Sequence, residues 1–140
     1  EVLVVAADVC NVKDMREAAE QARQRFGRIE VVIHAAGVVD DGPLLTKTSG
    51  GVEEVFAPKV HGVQILHDLF PDGSIDWLVL FSSTSTVTAP AGQVDYVAAN
   101  EYLNAYAASR AGQRTKVLAI DWGIWNEVGM AAKAASPETT

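Results

Sequence analysis

The sequence holds a single cysteine, Cys10, and so cannot close an internal disulfide. Beside a strand-like run that residue is expected to pack as a small hydrophobe, and a reducing, cytoplasmic setting is expected for the chain. Long apolar runs are also missing. The longest, at residues 30–39 and 77–81, fall far short of the roughly 20 residues needed to cross a bilayer. No stretch reads as a signal segment, and neither a membrane partner nor a metal site is expected. Basic residues are scarce, with 11 Lys and Arg against 18 Asp and Glu and a formal net charge of -7. Phosphate-backbone binding draws its affinity from clustered Lys and Arg, so nucleic acid is not an expected partner. A phosphorylated cofactor stays open, because helix N-termini and a few local cations hold one whatever the overall charge.

What is present is an alternation of two periodicities in 140 residues, 49% of them hydrophobic, enough for one core. Short apolar runs at 2–7, 31–35, 77–81 and 117–120 alternate with longer helical patterns, which predicts β-α-β-α-β-α-β. The first helix is expected to open at Asn11 as N-cap, to turn Val12, Met15, Ala19, Ala22 and Phe26 inward, and to stop at Gly27. The second is expected over about 51–70, closed by Pro71-Asp72-Gly73. Its inward side carries Val52, Val55, Phe56, Val63, Leu66 and Phe70. The third is expected over about 94–111, stopped by Gly112. Apolar strands separated by helices predict an α/β fold, a Rossmann-like doubly wound parallel sheet covered on both faces. Such a sheet normally starts with a strand, a glycine-rich turn and a helix whose N-terminus holds a pyrophosphate. The chain has no G-x-G-x-x-G. The first strand-helix-strand unit is therefore expected to lie outside it, leaving residues 1–140 as the C-terminal portion of one domain.

Three groups of residues carry chemistry. His34-Ala35-Ala36-Gly37 follows an apolar run directly, and small residues there let backbone approach a ligand. Asp8-Val9 ends the first run. Ser83 closes the run at 77–81 through Phe81-Ser82-Ser83, and Tyr96 and Asn100 lie one helical turn apart on the next helix, facing one groove. A serine at a strand end and a tyrosine on the next helix can converge on one carbonyl; adjacent strand residues point to opposite faces, so only one of Ser82 and Ser83 can do so.

Taken in order, these features resemble the short-chain dehydrogenase/reductase family, and their spacing is similar to ketoreductase domains of polyketide synthases and related fatty acid synthases. The resemblance covers essentially the whole chain. Most of the wider family carries lysine one turn after the tyrosine, where this chain has Asn100. Synthase ketoreductases exchange the two positions, and Lys59, in Pro58-Lys59-Val60-His61-Gly62, matches the displaced lysine. The resemblance implies a catalytic group of Lys59, Ser83, Tyr96 and Asn100: Tyr96 as proton donor, Lys59 lowering its pKa and holding the nicotinamide ribose, Ser83 orienting the carbonyl, Asn100 supporting Lys59 and a relay water. It implies NADP(H) as cofactor, with Asp8, Val9, Ala35, Ala36, Gly37, Lys59, Tyr96, Trp122 and Gly123 as contacts; Asp121-Trp122-Gly123-Ile124-Trp125 resembles the Trp-Gly-x-Trp run after the equivalent strand. Residues 127–132 are expected to begin a lid, and 136–140 to be a frayed end.

The implied reaction is reduction of a 3-ketoacyl thioester on an acyl carrier protein, with other synthase domains or the N-terminal part of the fold as further partners. Val39-Asp40-Asp41 resembles the Leu-Asp-Asp motif of B-type ketoreductases, and Thr88 stands where A-type domains usually carry tryptophan. Two alternatives stay open: a reductase of a free small ketone, and a scaffold fragment without catalysis.

Overall fold

The computed structural model describes residues 1–125 and Gly129. Apart from that glycine, the expected lid at 127–132 and the frayed end at 136–140 lie outside the described residues.

Helix α1, Val12–Phe26, forms where its caps direct. The Asn11 side chain accepts hydrogen bonds from the backbone N–H groups of Lys13, at 2.9 Å, and Asp14, at 3.3 Å, satisfying two of the donors a helix start leaves open. Asp14 in the first turn and Arg23 and Arg25 in the last complement the helix dipole, and Gly27 ends the helix at a φ of 85°. Ala19 is buried and Met15 packs on the core, but Val12 and Phe26, expected to face inward, are half exposed.

Three strands follow, β1 Val31–His34, β2 Trp77–Ser83 and β3 Lys116–Trp122, all parallel in the order β1-β2-β3. The chain is α/β as expected. The last two strands run further than their apolar stretches: Ser82 pairs with Asp121 and Ser83 with Trp122, so all four residues lie in the ladder and not after it. The expected strand at 2–7 does not form. A strand needs a neighbour to take its N–H and C=O groups, and none of the three strands pairs with these residues, whose Val2 and Val4 are exposed.

Between β1 and β2 one helical segment runs as α2, Ser49–Phe56, a π turn, Ala57–His61, and α3, Gly62–Leu69. The break is at Pro58. Proline has no N–H and its ring crowds the carbonyl four residues back, which costs the α ladder a bond. The ladder slips, and the N–H of Gly62 reaches Ala57 O, five residues back. A short helix α4, Ser85–Thr88, and the long α5, Val94–Ser109, separate β2 from β3.

The core gathers Ala19, Val63, Leu66, Phe70, Ile75, Leu78, Leu80 and Leu103. Alternation along a strand places Val32, Leu78, Leu80, Val117 and Ala119 on one face, against α1, α3 and α5. The opposite face, with Val31, Ile33, Trp77 and Leu118, is exposed. Among the described residues the helices therefore cover one face, where apolar runs had predicted two.

Candidate active site

The π turn decides where Lys59 goes. On it the side chain is drawn inward until the residue is 3% exposed, and its Nζ donates to the carbonyl oxygen of Phe81, in β2, at 2.8 Å. The same Nζ lies 5.8 Å from the centroid of the Tyr96 ring. Burial disfavours the ammonium and pulls its pKa down to about 8. An ammonium carries three donors, and among the described residues one is used.

Gly62 lets the turn pack closely on β1. A side chain there would meet His34 Cε1 at 3.1 Å and Val9 Cγ2 at 3.2 Å. His34 is buried beneath the turn, with Nε2 making no hydrogen bond among the described residues. Burial first, and the Lys59 charge second, push its pKa down to about 4.

Tyr96 sits in the first turn of α5, half-buried, and its backbone N–H donates to Asp95 Oδ1 at 2.9 Å. Asn100, fully buried one turn on, donates from Nδ2 to the Tyr96 carbonyl at 2.7 Å. Its amide thus holds the helix backbone at Tyr96, while Oδ1 is a buried acceptor without a protein partner among the described residues. Ser82 and Ser83 face opposite ways. Ser82 Oγ donates to the Asn100 carbonyl at 3.2 Å, whereas Ser83 Oγ accepts from the N–H of Ser85 at 3.1 Å. The Ser83 hydroxyl proton is thereby left to donate elsewhere.

The remaining expected cofactor contacts are less uniform. Trp122 packs against Phe81 with tilted rings, 5.2 Å between centroids, and edge-on against Trp125, at 5.0 Å, and its buried Nε1 has no hydrogen-bond partner among the described residues. Gly123 follows it in open space. Ala35, Ala36 and Gly37 follow β1 directly. Asp8 accepts from the N–H of Cys10 at 2.9 Å and Val9 lies against Gly62, so both are bound up in the approach to α1 and the π turn.

These groups fit one end of a nicotinamide dinucleotide. Lys59 with two spare donors, the Tyr96 phenol and the indole of Trp122 suit a ribose and its planar base. No glycine-rich turn entering a helix N-terminus occurs among the described residues, so nothing fits the pyrophosphate. No group of three or more His, Cys, Asp or Glu side chains that could hold a metal occurs among the described residues either.

One ion pair had no signal in the sequence. Lys47, in the loop after β1, turns inward to Asp95, with Nζ to Oδ2 at 2.7 Å; the two side chains are 5% and 1% exposed. They are separated by 47 other residues, and a loop lysine ordinarily reads as solvated.

Residues 1–127 match the family described as KR domain. One of the subunits of the phenolphthiocerol/phthiocerol polyketide synthase of Mycobacterium tuberculosis is 40% identical over 132 residues, 93% of this chain and 7% of that protein. The 6-methylsalicylic acid synthase of Aspergillus terreus is 42% identical over 101 residues, 72% of this chain and 6% of that protein. The chain thus spans about 7% or less of the length of these relatives. Among solved structures, an N-terminal ketoreductase from the macrolactin assembly line aligns with a TM-score of 0.83 and 36% identity, covering 90% of this chain and 26% of that one. An A1-type ketoreductase aligns with a TM-score of 0.85 and 33% identity, covering 94% and 28%. With sequence and backbone matched over the same stretch that holds β1 to β3 and the π turn, the chain belongs to the KR-domain family, the ketoreductase domains of short-chain dehydrogenase/reductase type found in modular polyketide synthases.

Proposed function

We propose that the chain carries the catalytic residues of an NADPH-dependent ketoreductase, which reduces a 3-ketoacyl thioester on an acyl carrier protein to the 3-hydroxyacyl thioester in polyketide synthesis. The observation that carries this reading is the buried Lys59 ammonium between the Phe81 carbonyl and the Tyr96 ring. A lysine that reaches this place from the preceding helix is what the exchange with Asn100 requires.

The nicotinamide cofactor, when bound, supplies the hydride. The chain's own residues do the rest. Ser83 donates its hydroxyl proton to the ketone oxygen, orients the carbonyl and stabilises the negative charge that grows there. Tyr96 delivers a proton from its phenol to that oxygen, and the Lys59 charge beside it favours the phenolate left behind. Asn100 keeps the first turns of α5 in place through the Tyr96 carbonyl. Lys59 and Tyr96 hold the ribose, and Trp122 offers its indole to the nicotinamide. The other expected contacts, Asp8, Val9, Ala35, Ala36, Gly37 and Gly123, are assigned to the adenosine and nicotinamide ends on the family resemblance.

The test is NADPH consumption by the full-length protein with a 3-ketoacyl thioester, offered free and on a carrier protein. The expected result is faster turnover of the carrier-bound substrate and no turnover by Tyr96→Phe. Retained turnover in a folded Tyr96→Phe variant overturns the assignment; equal rates on free and carried substrate favour a reductase of free ketones.

A further inference from the structure

Lys47 belongs to none of the groups assigned above, yet its ammonium is turned away from water. It forms an ion pair with Asp95, Nζ to Oδ2 at 2.7 Å, and donates hydrogen bonds to Asp40 Oδ2 at 3.4 Å and to the Asp40 carbonyl oxygen. Burying an ion pair costs desolvation and yields little net stability, so stability gives a weak account of its presence. What a buried pair does supply is geometry. The carboxylate that Lys47 holds is also the one whose Oδ1 accepts from the N–H of Tyr96 at 2.9 Å. Two neighbouring links run the same way: the N–H of Gly42 donates to Gly92 O at 3.0 Å, and Gln93 Nε2 donates to Asp41 Oδ2 at 2.8 Å. The loop at 40–47 and the segment at 92–95 are therefore fastened at successive points, the last of them bonded to the backbone of the proton donor.

We propose that Lys47 and Asp95 are positioning residues for Tyr96, the buried pair holding the first turn of α5, and with it the phenol, in register with Lys59 and Ser83. Neither residue touches the reacting atoms. The inference rests on the reading of Tyr96 as proton donor. It adds that the loop carrying Asp40 and Asp41 and the placement of the acid are one mechanical unit, so a shift of that loop is a shift of the phenol.

The experiment compares the full-length protein with K47M, D95N, D95E and the double variant K47M/D95N. K47M leaves the buried Asp95 carboxylate uncompensated and D95N leaves Lys47 with Asp40 alone, so each is expected to lose thermal stability and a low rate there is uninformative alone. The double variant removes both charges, and Asn at 95 still offers an acceptor to the Tyr96 N–H. It is expected to melt near the wild-type temperature while kcat falls about ten-fold or more and the KM for NADPH stays put, as small misplacements of a catalytic group cost rate. D95E, which keeps the charge but moves the carboxylate by one methylene, is expected to lower kcat with a smaller loss of melting temperature than either single neutral variant. Wild-type kcat in a folded K47M/D95N or in D95E overturns the proposal. Should the wild-type protein reduce no ketone, the functional reading fails by itself. The pair is then tested by ultraviolet titration of the Tyr96 phenol, assigned by difference from Tyr96→Phe: a midpoint displaced in K47M/D95N supports the coupling, and an unmoved one overturns it.

Discussion

The Lys59 ammonium lies 5.8 Å from the centroid of the Tyr96 ring, on a side chain that burial holds well below the usual lysine range, at about 8. A solvated lysine stays charged up to about pH 10.4, so its charge would be constant over the working range of an enzyme. Here the charge is lost as pH rises through about 8. Reduction is accordingly expected to fall over that interval, and Lys59→Ala to abolish it in a folded protein. A rate of 3-ketoacyl reduction that stays level from about pH 8 to 10 contradicts a reaction that depends on a charge lost in that interval.

Stability follows the opposite limb for His34. Its folded pKa of about 4 lies below the ordinary 6.5. As pH falls through 6.5 the unfolded chain takes up the proton first, so protonation favours unfolding, increasingly down to about pH 4; above 6.5 both states are neutral and the group contributes nothing. The shift corresponds to about 3 kcal/mol at the acid end. His34→Asn is expected to flatten the loss of melting temperature between pH 6.5 and 4, and an unchanged acid slope contradicts the burial assigned to the ring.

Gly62→Ala tests the packing of the π turn on β1. The added carbon would stand 3.1 Å from His34 Cε1 and 3.2 Å from Val9 Cγ2, both tighter than ordinary contact. Overpacking of this kind costs about 1–3 kcal/mol. Thermal unfolding of the variant is expected to show that loss together with reduced turnover, because the turn that shifts carries Lys59.

Ser82 and Ser83 are expected to separate stability from catalysis. Ser82→Ala removes the hydrogen bond to the Asn100 carbonyl and should cost about 1 kcal/mol with turnover retained. Ser83→Ala should lower kcat by about 100-fold or more at nearly unchanged stability, in the range seen for single oxyanion donors. The reverse outcome would exchange their roles.

From the resemblance of Val39-Asp40-Asp41 to the B-type motif, with Thr88 where A-type domains usually carry tryptophan, a product of D configuration at the hydroxyl carbon is expected. Chiral chromatography of the reduced thioester checks it, and an L product contradicts it.

Much of this was legible in local sequence, because local sequence was what decided it. Asn11 and Gly27 cap α1 through bonds reaching at most three or four residues. The parity of a strand separates Ser82 from Ser83, and one helical turn separates Tyr96 from Asn100, wherever the strand and helix later pack. The fold class follows from alternating periodicity, and the exchange of lysine and asparagine carried the family.

Pairing across the chain was not legible. Residues 2–7 have the composition of a strand, but a strand exists only where a neighbour takes its hydrogen bonds, and that is decided by topology. Apolar runs at 31–34 and 77–81 read alike whether one face or two are covered. The pattern over 51–70 read as one helix, and only the packed structure shows that the ladder slips by one residue after Pro58 and carries Lys59 into the interior, where desolvation lowers its pKa. Lys47 and Asp95 mark the limit most clearly. Sequence by itself determined that one is a cation in a polar loop and the other an anion in a first helical turn. Only tertiary structure brought the loop onto the helix start and excluded water from both, and that exclusion turns two ordinary surface charges into a fixed link to Tyr96.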